Sequence, residues 1–326
     1  MLHRRTFLTG LAAAGGSTLA GCGLSSASGY LPAASPGSIE EVPALDGVRI
    51  AVGSKNFTEQ LILGKLAGLA LRAAGADVAD RTNLPGSAAA RRQQLNGEVD
   101  LQWEYTGTAW LTYLGQAQGI PDPAEQYEAV RAMDLEQNDL VWLPPSAVNN
   151  TYAMAIRAEA ADELGVATVS DIANLPVEQR TFAVESEFAS RNDGFVPMLE
   201  TYGIPLGTPD GVPRGNVRTL DTGVVYTAVD TGQVNFGEVF TTDGRLEALG
   251  LTVLADDRGF FPAYNACVVV RQDTLQEHPA VADVLLPVSD ALTNDVLIGL
   301  NLQVDVDGRE PADVALEWMQ QQGFVS

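Results

Sequence analysis

Short apolar runs alternate with longer stretches of helical periodicity along most of the chain, which is the rhythm of strand, loop and helix units. Residues 48–52 read as a strand followed by Gly53-Ser54-Lys55. Asn56 with Glu59 three residues on reads as a capping box, and the apolar face Leu61, Ile62, Leu66, Leu69 and Ala73 carries a helix that stops at Gly75. Residues 87–96 read as a second helix closed by Gly97. Val99, Leu101, Trp103 and Tyr105 then alternate with Asp100, Gln102 and Glu104 as a strand does, which turns Glu104 away from Tyr105. Further strands fall at 140–143, 151–157, 181–184, 234–240, 251–254 and 266–271, with helices at 158–164, 222–231, 278–286 and 311–323. Strands alternating with helices imply α/β layers and mostly parallel sheets, whose ligands bind beyond the carboxyl ends of the strands.

The first residues follow a different logic. Arg4-Arg5-Thr6-Phe7-Leu8 is a twin-arginine pattern that runs into the uncharged stretch 7–20 and then Leu19-Ala20-Gly21-Cys22. This resembles the lipobox of bacterial lipoproteins. The resemblance implies that residues 1–21 are a signal peptide, that Cys22 is the lipidated first residue of the mature chain, and that the protein works outside the cytoplasmic membrane, tethered to it. Residues 22–45 are mainly Ser, Gly, Pro and Ala without periodicity and read as a flexible tether.

Composition narrows what the body does. A formal net charge of −23 with two lysines, Lys55 and Lys65, excludes nucleic acid as a partner, because phosphate neutralisation needs clustered cations. Once Cys22 is lipidated, Cys267 stands alone in the run Ala266-Cys267-Val268-Val269-Val270 and reads as a small buried hydrophobe. His3 leaves with the signal, so a catalytic triad or a His-rich zinc site would rest on His278 alone. No metal or cofactor is called for, and an exported hydrolase is disfavoured.

At the strand ends, aromatic and cationic residues converge: Lys55, Tyr105 to Thr108, Arg191 and Phe240, with Tyr152 and Tyr264 where the chain passes between domains. A quaternary ammonium has no hydrogen-bond donor, so a protein holds it through charge and the electron-rich faces of rings. Tyr105, Tyr152, Phe240 and Tyr264 supply such faces, while Lys55, Arg191 and the Thr108 hydroxyl suit a carboxylate on the same ligand. Tyr105 and Phe240 also read as core positions on periodicity, and Arg191 as a solvated loop charge. None of these pocket candidates is acidic, which disfavours a ligand with an N–H-bearing ammonium.

Gly53-Ser54-Lys55-Asn56-Phe57-Thr58-Glu59-Gln60, Glu104-Tyr105-Thr106-Gly107-Thr108, Asn150-Thr151-Tyr152, Thr242-Asp243-Gly244-Arg245 and Phe260-Phe261-Pro262-Ala263-Tyr264 together resemble the substrate-binding lipoproteins of osmoprotectant ABC importers. The resemblance implies a type-II periplasmic-binding-protein fold: two α/β lobes, 46–150 with 257–326 and 151–256, joined by two crossing segments. It implies no enzymatic activity, a quaternary ammonium ligand, an ABC permease as partner and a monomeric chain. The family's ammonium cage has four tyrosines, of which Tyr105, Tyr152 and Tyr264 match three; Phe240 stands at the fourth. Lys55, Thr108 and Arg191 match positions that bind the carboxylate of betaines. Choline-restricted relatives carry an acid at the position of Thr108, which favours glycine betaine-type ligands over choline here; a binding protein for another small zwitterion or for choline is the alternative.

Overall fold

The structure is a computed structural model that describes residues 29–326. The signal peptide at 1–21, the lipidation site Cys22 and the start of the tether lie outside the described residues.

Among the described residues, ten strands form two sheets. The first contains β1 (Arg49–Lys55), β2 (Asp77–Leu84), β3 (Leu101–Tyr105), β4 (Leu140–Trp142) and β10 (Ala266–Arg271), in the order β2-β1-β3-β10-β4. The second contains β5 (Tyr152–Arg157), β6 (Phe182–Glu185), β7 (Val217–Leu220), β8 (Phe236–Phe240) and β9 (Leu251–Val253), in the order β7-β6-β8-β5-β9. Each sheet with its helices is one lobe, and the chain crosses between them from β4 to β5 and from β9 to β10.

The sheets are more mixed than the alternation of strands and helices implies. β1 runs parallel to β2 and β3, and β6 parallel to β7 and β8, but β10 is antiparallel to β3 and β4, and β5 antiparallel to β8 and β9. The crossing segments explain this. Each enters its new lobe at the cleft, so the strand that follows must run away from the edge at which the parallel strands end. The first residue of β5, Tyr152, therefore pairs with the last of β8, Phe240, and the first of β10, Ala266, pairs with the last of β3, Tyr105. The two crossing segments also touch each other, through the Asn149 and Asn265 bridge and the Asn150 N–H to the Tyr264 carbonyl at 3.2 Å.

β3 is buried along its whole length, including Gln102 and Glu104 at 1 % exposure, so its alternation does not separate core from solvent. A strand between two others and covered on both faces places its polar residues inside too. Helix α1 (Thr58–Ala73) covers the first sheet, and the helices Ala280–Asp290, Asn294–Asp305 and Pro311–Gln321 pack on it. The helix expected at 278–286 is found at Ala280–Asp290, and a short helix that the sequence did not announce, Gln272–Glu277, precedes it across Pro279.

Residues 36–45, read as tether, pack on the body instead. Ser38 donates to the Gly323 carbonyl at 2.8 Å and Ile39 to that of Phe324 at 3.1 Å, while Ile39 and Leu45 are buried. Two apolar anchors in a stretch of small residues are enough to dock it, since burying a large aliphatic side chain is worth roughly 1.5–3 kcal/mol.

Candidate functional site

The cleft between the lobes holds a cavity of about 200 Å³, and all seven described residues singled out in the sequence line it: Lys55, Tyr105, Thr108, Tyr152, Arg191, Phe240 and Tyr264. That is smaller than the roughly 300–1,000 Å³ of sites for drug-sized ligands, and suits a small solute.

The rings come from both lobes. Tyr152 lies 5.2 Å from Phe240 and meets Tyr264 edge to face at 5.6 Å. Phe57, at the entrance to α1, completes the series: its ring stacks at 5.2 Å on Phe240 and at 6.3 Å on Tyr105. Phe57 belongs to the Gly53-to-Gln60 motif but carried no periodic signal of its own, and sequence reasoning passed over it. Phe240 is half-buried and borders the cavity, so it is not wholly packed core. Gly107 is required for the arrangement. A Cβ there would lie 2.7 Å from two atoms of the Tyr264 ring and 2.8 Å from the Ala263 carbonyl.

The cations are not free. Lys55 Nζ sits 2.5 Å from Glu104 Oε1 and 4.9 Å from the Tyr105 ring centroid. Glu104, which alternation turns away from Tyr105, does not line the cavity; it pairs with Lys55 and also accepts from the Tyr113 hydroxyl at 2.6 Å. Arg191 is clamped by Asp193, with Nε to Oδ1 at 2.7 Å and an η nitrogen to Oδ2 at 2.5 Å; it lies over Tyr152 at 5.3 Å and reaches Thr108 Oγ1 at 3.5 Å. Burial works against the Arg191 charge, yet Tyr152, Asp193 and Tyr264 around it raise its pKa above the ordinary arginine value.

The absence of acids inferred from the sequence does not hold. Glu185 and Glu187 line the cavity. Burial opposes ionisation of Glu187, but Lys55, Ser87 and Arg191 more than offset it and hold its carboxyl below the usual range. It accepts from the Ser87 backbone N–H at 3.1 Å across the cleft, at the start of helix α2 (Gly86–Leu95), where a negative charge meets the positive end of the helix. Burial, followed by the charge of Glu187, pushes Glu185 up to about 7; beneath it Glu238, fully buried beside Glu185, is pushed up to about 8. Glu185 is the last residue of β6, Glu187 lies in the short helix Ser186–Ser190 that follows it, and Glu238 stands on β8.

Glu59 is not a capping residue. Helix α1 begins after Phe57 without a side-chain cap, and Asn56 Oδ1 accepts from the Gly86 N–H at 3.1 Å instead. Glu59 is buried and accepts from the Tyr105 hydroxyl at 2.6 Å, Asn150 Nδ2 at 2.9 Å, Asn301 Nδ2 at 3.4 Å and the Thr242 hydroxyl. Burial raises its pKa, against these hydrogen bonds that favour the charge. Among the described residues no cluster of acids, His or Cys could hold a metal ion, and no helix is long and apolar enough to cross a membrane. Cys267 is buried, as its sequence context implies.

Residues 48–321 match the family model described as the substrate binding domain of the ABC-type glycine betaine transport system. The chain belongs to this family. It is 40 % identical over 280 residues to a glycine-betaine-binding protein of Pseudomonas aeruginosa, covering 83 % of this chain and 87 % of the relative. It is 32 % identical over 278 residues to the glycine betaine-binding protein YehZ of Escherichia coli, covering 84 % and 91 %. The crystal structure of a glycine betaine/carnitine/choline ABC transporter protein superposes with a TM-score of 0.69 at 25 % identity, over 84 % of this chain and 99 % of that one. The type-II periplasmic-binding-protein fold is thereby borne out, as is membership of a family of transport solute-binding proteins rather than enzymes.

Proposed function

We propose that this member of the glycine betaine family captures glycine betaine-type quaternary ammonium solutes and presents them to an ABC permease. The observation that carries the reading is the set of five rings, Phe57, Tyr105, Tyr152, Phe240 and Tyr264, around one small cavity that also opens on Lys55, Thr108 and Arg191. A trimethylammonium gains roughly 0.5–2 kcal/mol from each ring face it meets in a dry site. In the structure Lys55 and Arg191 themselves stand over Tyr105 and Tyr152. A ligand cation takes their place at the rings, and its carboxylate meets the displaced cations.

A second reading, a zwitterion with N–H donors, draws on Glu185, a cavity-lining acid that suits such donors. Calorimetric titration with glycine betaine, carnitine, choline, glycine and proline separates the readings. Heat from glycine betaine with none from glycine supports the first; the reverse order supports the second. The twin-arginine leader and Cys22 support a lipid-anchored, extracytoplasmic protein, which we take to act as a monomer. Cys22→Ala should then move the protein from the membrane fraction to the soluble one, and sedimentation of the soluble form should give the mass of a single chain.

A further inference from the structure

Two of the cage tyrosines donate phenol hydrogen bonds to buried carboxylates. Tyr105 donates to Glu59 at 2.6 Å and Tyr264 to Asp193 at 2.5 Å, and both acids are at most 3 % exposed. The phenols keep their protons: burial, with the adjoining carboxylate, lifts both tyrosines well above their ordinary pKa. A phenol that donates to an anion gains electron density in its ring, and the face that meets a cation becomes more negative.

The hydrogen bonds around Glu59 favour its charged form, against the burial that raises its pKa. An amide N–H reaches each of its two oxygens, from Asn150 and from Asn301, and the Tyr105 and Thr242 hydroxyls fill the remaining acceptor sites. Four donors on two oxygens is the full capacity of an ionised carboxylate and exceeds what a protonated one offers while its own proton needs an acceptor. These four donors are all neutral. Asp193 differs, because the Arg191 guanidinium takes both of its oxygens.

Both carboxylates also span the cleft. Glu59 on α1 in the first lobe accepts from Thr242, which follows β8 in the second, and Asp193 of the second lobe accepts from Tyr264, next to the strand that re-enters the first. The charge behind the rings is thus complete when the lobes are together.

We propose that Glu59 and, more weakly, Asp193 are positioning residues that act through Tyr105 and Tyr264 to make the cage prefer a cationic head over a neutral one of the same shape. The inference rests on the cage reading above. Its test is calorimetry on the full chain with glycine betaine and with 3,3-dimethylbutyrate, in which carbon replaces the quaternary nitrogen. Glu59→Gln should lower the ratio of the two affinities by roughly five-fold or more, and Asp193→Asn should lower it less. A purely structural role for Glu59 would weaken both ligands alike. Tyr105→Phe, which keeps the ring and removes the donor, should lower the ratio in the same direction and serves if Glu59→Gln does not fold. A ratio unmoved in the folded variants, with wild type still binding betaine, overturns this inference alone. Wild type that binds neither compound overturns the cage reading and this inference with it.

Discussion

The Lys55 ammonium and the Glu104 carboxylate lie 2.5 Å apart, both at most 4 % exposed, so a paired cation faces the cleft. Removing one partner of a buried pair strands the other. Lys55→Ala should therefore cost about 3–5 kcal/mol of stability, whereas Lys55→Met with Glu104→Gln should recover most of it. Urea denaturation checks this; a single mutant within about 0.5 kcal/mol of wild type would show that the pair is not formed in solution.

Phe57 bridges Tyr105 and Phe240 by stacking. Phe57→Ala should weaken glycine betaine by roughly 1–2 kcal/mol, as should Tyr152→Ala, each removing one ring face. Phe240→Tyr should leave stability unchanged, because the half-buried ring borders the cavity. Calorimetry and thermal melts together separate lost binding from lost folding. Unchanged affinity in Phe57→Ala would take that ring out of the cage.

Gly107→Ala sets a methyl group 2.7 Å from the Tyr264 ring. The neighbouring Ala263 backbone blocks retreat in one direction, so the ring must move and its bond to Asp193 must break. Glycine betaine affinity should fall about ten-fold or more, with a changed near-ultraviolet tyrosine signal. Wild-type values for both would mean that the ring tolerates the methyl group.

The local signals in the sequence were good where one face of an element is apolar, and poor where it is not. β10 and the helix Ala158–Leu164 emerge at the expected residues. β2, with its polar and half-exposed Asp77–Leu84, and the helix Pro123–Asn138, with few buried residues, offer no such stripe and were missed. The cavity-lining residues were legible because strand ends and crossing segments announce themselves through Gly, Asn and Pro around a Tyr. Their partners were not. Glu104 sits on a strand buried on both faces, where period-2 alternation loses its meaning, and Glu59 lies in a sequence that satisfies a helix-cap pattern while its side chain answers four donors distant in the chain. Long-range polar pairing leaves no periodic trace.

Glu238 and Glu185 predict the sign of a pH effect. Both are raised in the folded protein, to about 8 and about 7, chiefly by burial, from an unfolded value near 4.3. The folded state favours their protonated forms, so their contribution is fully present below about pH 4 and is lost as pH rises through 7 to 8. The unfolding free energy from urea denaturation should fall between pH 5 and pH 8, by an amount on the order of a few kcal/mol, with the midpoint falling with it, and Glu238→Gln should flatten the fall. A midpoint that rises over this window in wild type would contradict the burial of the pair.

The most direct test of the central claim is a crystal structure of the protein with glycine betaine. The quaternary nitrogen should lie within about 6 Å of the ring centroids of Tyr105, Tyr152, Phe240 and Tyr264, with the carboxylate oxygens at hydrogen-bond distance from Lys55, Thr108 or Arg191. A ligand found outside this cavity, or bound with its carboxylate against the rings and its trimethylammonium towards Arg191, would contradict the account.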